Sequence, residues 1–286
     1  MHLSLILTAI GLAWTARLLL AGTIAPRRTE ESWAWRWQRA LGVFLFSPLL
    51  LSVTALAVLC MGTQGQMWGL PVGWIGYLLA VGFLAMTVAL VVWSVWQGWR
   101  SLQAISTYPS MTLHNTSARL LHTPALFAAQ IGFWRSQLVL SQGLLDTLTP
   151  TQLEAVITHE LAHVHYCDTF WFFWLGCVRR VTGWLPHTET IWQELLLLRE
   201  LRADSWAAQR VEPLVLAESL LEVVKAPLTN LALHCAAFGA IAPPHRLTER
   251  IEVLINGPEP MPSQTEMPWR WLLVTLLPLL TLAFHS

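Results

Sequence analysis

Residues 148–163 read Leu148-Thr149-Pro150-Thr151-Gln152-Leu153-Glu154-Ala155-Val156-Ile157-Thr158-His159-Glu160-Leu161-Ala162-His163. Thr149 suits a helix N-cap, Pro150 fits a first turn where its missing N–H costs nothing, and Gln152 completes a capping box. The spacing predicts a helix running to about Asp168. Within it His159 and His163, four residues apart, project from one face, so both imidazoles can reach one tetrahedral metal, while Glu160 lies beside them as a base for water. Catalytic zinc needs a third protein ligand. Glu200, in Leu197-Leu198-Arg199-Glu200-Leu201-Arg202-Ala203-Asp204, is the best candidate. Its run, about Thr190 to Val211, reads as a second helix. Asp204 lies one turn beyond on the same face, where a carboxylate can receive the outer N–H of a liganding imidazole.

Ahead of the motif, Leu120–His122, Ala125–Gln130 and Gln137–Ser141 are short apolar stretches separated by turn signals, which predicts a small sheet. Gln137–Ser141 could offer an edge to an extended substrate. Thr169–Pro186, rich in Phe and Trp but broken by Gly176, Arg179 and Arg180, is too short an apolar run to cross a bilayer. It is expected to lie at the membrane surface or to roof the site.

Further out, the sequence turns apolar. Of 286 residues, 55% are hydrophobic and 12% charged, against about 25% charged in soluble domains. Crossing a bilayer takes about 20 apolar residues. Residues 3–24, 41–61 and 70–96 meet this, and 269–284 comes close, so four spans are expected around a domain at 100–268. The first run is not expected to be a cleaved leader, since no cation precedes it, Arg17 lies inside it and Pro26 follows. Arg17 is expected to snorkel to the nearer surface. Arg27, Arg28, Arg36 and Arg39 fill the first loop, whereas 62–69 has no cation. The positive-inside rule then places both termini outside and 100–268 in the cytosol; the membrane is expected to be a plasma (bacterial inner) membrane. Cations and acids balance at 17 each, and Lys225 is the one lysine, so no basic face exists for direct nucleic-acid binding. Four cysteines without a C-x-x-C pair give no disulfide framework. Cys177 and the pair His234-Cys235 are expected to be inert rather than redox or copper sensors.

These residues resemble the membrane-embedded zinc metallopeptidases related to the beta-lactam sensor-transducers (antirepressors). The resemblance rests on Gly132-Phe133-Trp134-Arg135, Leu138 through Leu145, Leu148-Thr149-Pro150 through His163 to Asp168, and Leu198 through Asp204. They are also similar to the wider gluzincin group, which includes membrane proteases of the heat-shock and CaaX-processing types. The resemblance implies a mainly α, multi-pass protein with a gluzincin-like zinc domain containing a small β-sheet, and it supports Glu200 as third ligand. No penicillin-binding sensor domain is expected, because the sequence ends at Ser286. Ala242-Pro243-Pro244-His245 ahead of Arg250-Ile251 departs from the His-Pro-Pro of the heat-shock type, which leaves Arg250 in place but no histidine before the prolines.

Together these readings predict one zinc ion held by His159, His163 and Glu200, with Glu160 moving the proton of the attacking water to the leaving amine. Oxyanion stabilisation needs a further donor. His165, Tyr166, His187, His234, His245 and Arg250 all qualify, with Arg250 and His245 favoured. The expected function is regulatory proteolysis of a cytosolic or membrane-associated protein, by analogy a winged-helix repressor. Broad quality-control proteolysis and an idle membrane receptor or scaffold are the alternatives.

Overall fold

The computed structural model describes residues 2–22, 32–63, 66–67, 70–71, 74–113, 116–225, 246–257 and 269–284. The chain divides into two compact units, Met1–Trp93 with Cys177–Leu195 and Ser263–Ser286, and Ser94–Gly176 with Leu196–Pro262. Residues 177–195 thus group with the first unit, whereas the sequence boundaries at 100 and 268 placed them with the second.

In the first unit α1 (His2–Ala21) and α2 (Trp33–Met61), and α3 (Trp74–Ser106), which starts there and whose residues from Ser94 on belong to the second, are long and apolar enough to cross a membrane. The last run, Trp269–Phe284, is a 3-10 helix whose apolar part, Leu273–Leu282, is shorter. α2 starts eight residues before the predicted span, since Trp33–Ala40 contains neither Gly nor Pro to stop it. Strands β1 (Gln66–Met67) and β2 (Leu70–Pro71) pair antiparallel between α2 and α3. Ala9 and Ala13 meet Leu50 and Leu51 of α2, and small residues of this kind let apolar helices approach closely.

Arg17 does not snorkel. It is fully buried, its Nη2 donating to the Phe44 carbonyl at 3.0 Å and its Nε to Ser47 Oγ at 3.3 Å, with Nη1 3.5 Å from Thr188 Oγ1. Pro48 explains the first contact. Lacking an N–H, it leaves the carbonyl four residues earlier, that of Phe44, without its helical donor, and Arg17 supplies one. The guanidinium also lies 5.5 Å from the centre of the Phe44 ring. Nearby, Leu185 is buried among Ala9, Ala13, Leu50 and Leu51, and Arg36 pairs with Glu194 at 2.7 Å. Of Thr169–Pro186, expected at the membrane surface or as a roof to the site, the turn after the helix packs Leu185 among apolar residues of α1 and α2.

In the second unit β3 (Ser110–Leu113), β4 (Thr116–Leu121), β5 (Ala128–Ile131) and β6 (Gln137–Ser141) form a mixed sheet of order β3-β4-β6-β5. β4 and β6 are parallel, with Ala118 opposite Leu138 and Leu120 opposite Leu140; the other pairs are antiparallel. β6 is therefore central, not an edge, which corrects the sequence reading, and β5 occupies the edge instead. β6 is mostly buried, as a central strand must be. At its end Ser141 Oγ caps α4 (Gln142–Thr147) through the Leu144 N–H and also accepts from the Phe127 N–H. Gly143 lies so close to Pro124 that an added Cβ would stand 2.1 Å from its carbonyl oxygen, so no larger residue fits there.

α5 (Pro150–His165) begins as expected, with both halves of the Thr149–Gln152 capping box made. One side packs Leu153, Val156 and Ile157 against Leu138 and Leu140 of the sheet. Its other side packs Ala155 with Leu216, Ala217 and Leu220 of α8 (Pro213–Lys225) and Leu254 of α9 (Leu247–Asn256). A helix buried on two sides is rigid, and its polar motif is enclosed with it. After α5, Cys167 takes a left-handed φ of 53°, which costs a non-glycine residue about 1 kcal/mol. The sharp turn starts α6 (Asp168–Val181) at once; α7 (Thr188–Ala208) follows.

Candidate metal centre

Each site side chain comes from a helix whose packing fixes it. α5 supplies His159, Glu160 and His163, all buried; α7 supplies Glu200 and Asp204, buried and one turn apart; α9 supplies buried Arg250. One ligand atom each from His159, His163 and Glu200 lie within 4.8 Å of one another, the grouping expected from the sequence. His159 Nε2 stands 3.3 Å from Glu200 Oε2 and His163 Nε2 3.8 Å from Glu200 Oε1.

The outer nitrogens face carboxylates. His159 Nδ1 is 2.9 Å from Asp204 Oδ1, close to the carboxylate expected behind it but without good hydrogen-bond alignment. His163 Nδ1 meets Asp168 Oδ2 at 2.8 Å in a hydrogen bond that sequence reasoning missed. Asp168 is five residues after His163, too far along for a regular helix to return it; the Cys167 turn brings it back. Carboxylates behind both rings fix which nitrogen faces inward and raise its basicity.

Three arginines hold the acids. Arg250 is bidentate on Asp204 through Nε at 2.7 Å and Nη2 at 2.8 Å, with Nη1 3.3 Å from Glu200 Oε2. Arg199 donates to Glu200 Oε1 from Nε at 3.0 Å and Nη2 at 2.7 Å, and Arg202 pairs with Asp168. Arg250 thus braces two acids, a more confined place than the free oxyanion donor expected from sequence. His165 is exposed and stacks against Trp206, Tyr166 lies under the Arg202 guanidinium, and His187 is an exposed left-handed residue of the first unit. His234, Cys235 and His245 lie outside the described residues. Cys177 is buried.

Electrostatics in the site favour a cation. Glu160, Asp168, Glu200 and Asp204 outnumber Arg199, Arg202 and Arg250 by four to three, leaving one negative charge if both imidazoles are neutral. Burial alone would lower the His159 pKa, but Asp204 and Glu200 outweigh it and push it up to about 10. Burial likewise works against ionised Glu200 and Asp204, yet Arg199 and Arg250 hold Glu200 well below the usual carboxylate range, and Arg250 holds Asp204 down. The metal-free site therefore takes up a proton where two nitrogens and a carboxylate converge. That donor set, N2O with carboxylates behind the rings, fits zinc.

Residues 106–176 match the model of Peptidase family M48. The M48 match covers the sheet, α4, α5 and most of α6, including His159, Glu160, His163 and Asp168, but stops short of Glu200. The chain is also similar to "Protease HtpX homolog 2" of Methanosarcina mazei, 27% identical over 152 residues, or 46% of this chain and 50% of that protein. It thus spans about half the length of the curated relative it matches. Neither match names the beta-lactam sensor-transducers. Among the described residues three helices are long and apolar enough to cross a membrane.

Proposed function

We propose that this chain is a membrane-bound zinc endopeptidase hydrolysing peptide bonds in extended segments of cytosolic or membrane-associated proteins. The observation that carries this reading is the convergence of His159, His163 and Glu200 with Asp204 and Asp168 behind the two rings. Zinc bound by the three would polarise a carbonyl and acidify water toward neutral pH. Glu160, the next residue to His159 on α5, takes a proton from the attacking water and returns it to the leaving amine. Arg250 and Arg199 keep Glu200 ionised, and Arg250 with Asp204 orients His159. Among the described residues β5 ends the sheet and packs against α5, and its edge can pair with an extended main chain, a role the sequence had given to β6.

A winged-helix repressor is the substrate suggested by sequence resemblance alone; a broad set of membrane proteins is the alternative. The Arg-rich first loop supports a cytosolic active site with both chain ends outside. Mass spectrometry of new N-termini in cells producing wild type or Glu160→Gln tests the reading. Termini present only with wild type are expected, from one regulator or from many membrane proteins. Identical sets in the two strains would contradict proteolysis.

A further inference from the structure

We infer that the cleft between the end of α6 and the start of α7 binds the phosphodiester group of a membrane phospholipid. The cleft, of about 410 Å³, is lined by Arg179, Arg180, Gly183, Thr188 and Glu189, all in the first unit. A third cation, also of that unit, stands behind its wall. The buried Thr188 hydroxyl, held against the Thr182 and Leu185 carbonyls at 2.8 and 3.1 Å, accepts from Arg17 Nη1 at 3.5 Å. Arg17 Nε and Nη2 go to a hydroxyl and a carbonyl, and among the described residues no carboxylate pairs with this guanidinium. Of the lining residues Glu189 is the one acid, and Arg179 holds it at 2.7 Å. Three guanidiniums against one carboxylate leave two positive charges around a space large enough for a ligand group. Burying a cation without a counter-charge is unfavourable. An anion in the cleft supplies that charge, and guanidiniums match phosphate oxygens with paired N–H donors.

The depth of the cleft along α2 selects a lipid over a soluble anion. Phe44 and Ser47, the acceptors of Arg17, lie about 5 and 9 Å inside the start of the apolar run 41–61. Arg179 lies 5.4 Å from the centre of the Trp192 ring, which is itself 6.0 Å from the Phe44 ring, so the cleft is level with the same turns of α2. Arg36 and Arg39 precede that run, which makes this end of α2 the one facing water. A headgroup layer of roughly 5–7 Å flanks the hydrocarbon core, and long cationic side chains rooted just inside the core reach it. Exposed Trp184, next to Gly183, suits the same layer. Lipid phosphates already occupy that level at high local concentration. The assignment is independent of the reaction proposed for the metal centre.

Native mass spectrometry of the full-length protein, purified in detergent and titrated with phosphatidylglycerol, tests it. Wild type is expected to hold one phosphatidylglycerol per chain in preference to diacylglycerol, which lacks the phosphate. The double variant Arg179→Gln, Arg180→Gln should bind at least about tenfold more weakly, because charge-assisted contacts are lost. Glu189→Gln removes the competing carboxylate and frees Arg179, so it should bind more tightly, by about threefold or more. A mere loss of packing would weaken both. Undiminished binding by the double variant, weaker binding by Glu189→Gln, or diacylglycerol held as well as phosphatidylglycerol would overturn the site. Release of the lipid by inorganic phosphate at millimolar concentration would overturn the lipid assignment in favour of a free anion.

Discussion

Asp168 shows how much one residue outside the motif contributes to the proposed centre. Its carboxylate orients His163 as Asp204 does His159, so Asp168→Ala is expected to weaken zinc binding by about 10- to 100-fold while leaving all three ligands in place. Titration against a competing chelator measures this; unchanged affinity would reduce Asp168 to a partner of Arg202. His159 gives a pH dependence. Its pKa rises from 6.5 to about 10 in the metal-free fold, so its pairing stabilises that fold fully below about 6.5 and is lost as pH climbs through about 10. Glu200 and Asp204 act in the opposite sense: their pKa values are lowered, so their contribution is present above the ordinary carboxylate range and lost on acidification. Zinc needs the imidazole neutral, so near pH 7 binding must displace the His159 proton, and affinity should rise with pH. Calorimetry in buffers of different ionisation heat is expected to show about one proton released per zinc from this group. No release would mean that His159 is already neutral.

At the level of elements, what is local in sequence was legible and what depends on distant pairing was not. The Thr149–Gln152 box fixed the start of α5 because its groups lie within one turn. Thr149→Ala is expected to cost about 1 kcal/mol, seen as a lower Tm, as N-cap losses do. A wild-type Tm would show that packing on both sides of α5 makes the cap redundant. Glu200 and Asp204 were legible because they share one helix face. β6 was misplaced to an edge because strand order is set by partners that no local pattern encodes: β5 runs to the outside and β6 returns between it and β4. Asp168 was overlooked because the Cys167 turn breaks the helical spacing on which the reading relied. Arg17 looked like a tolerated cation because its acceptors, Phe44, Ser47 and Thr188, lie 27, 30 and 171 residues away.

For the whole molecule, the proposed arrangement is a zinc peptidase unit held to a membrane by α1, α2, α3 and the terminal helix. Trp269–Phe284, whose apolar part Leu273–Leu282 is shorter than the other three runs, is proposed as the fourth crossing. Tags at Met1 and Ser286 are therefore expected to be cleaved by protease added to right-side-out vesicles, with one inserted after Arg210 protected. A protected Ser286 tag would remove the fourth crossing. The proposed proteolysis turns on proton transfer at one glutamate, Glu160. Purified wild type, Glu200→Ala and Glu160→Gln, each assayed for zinc content and for cleavage of casein, test it most directly. About one zinc per chain is expected in wild type and in Glu160→Gln, with markedly less in Glu200→Ala. Cleavage should fall at least about 10²-fold in Glu160→Gln despite the retained metal. Zinc-loaded Glu160→Gln cleaving as fast as wild type would contradict the account.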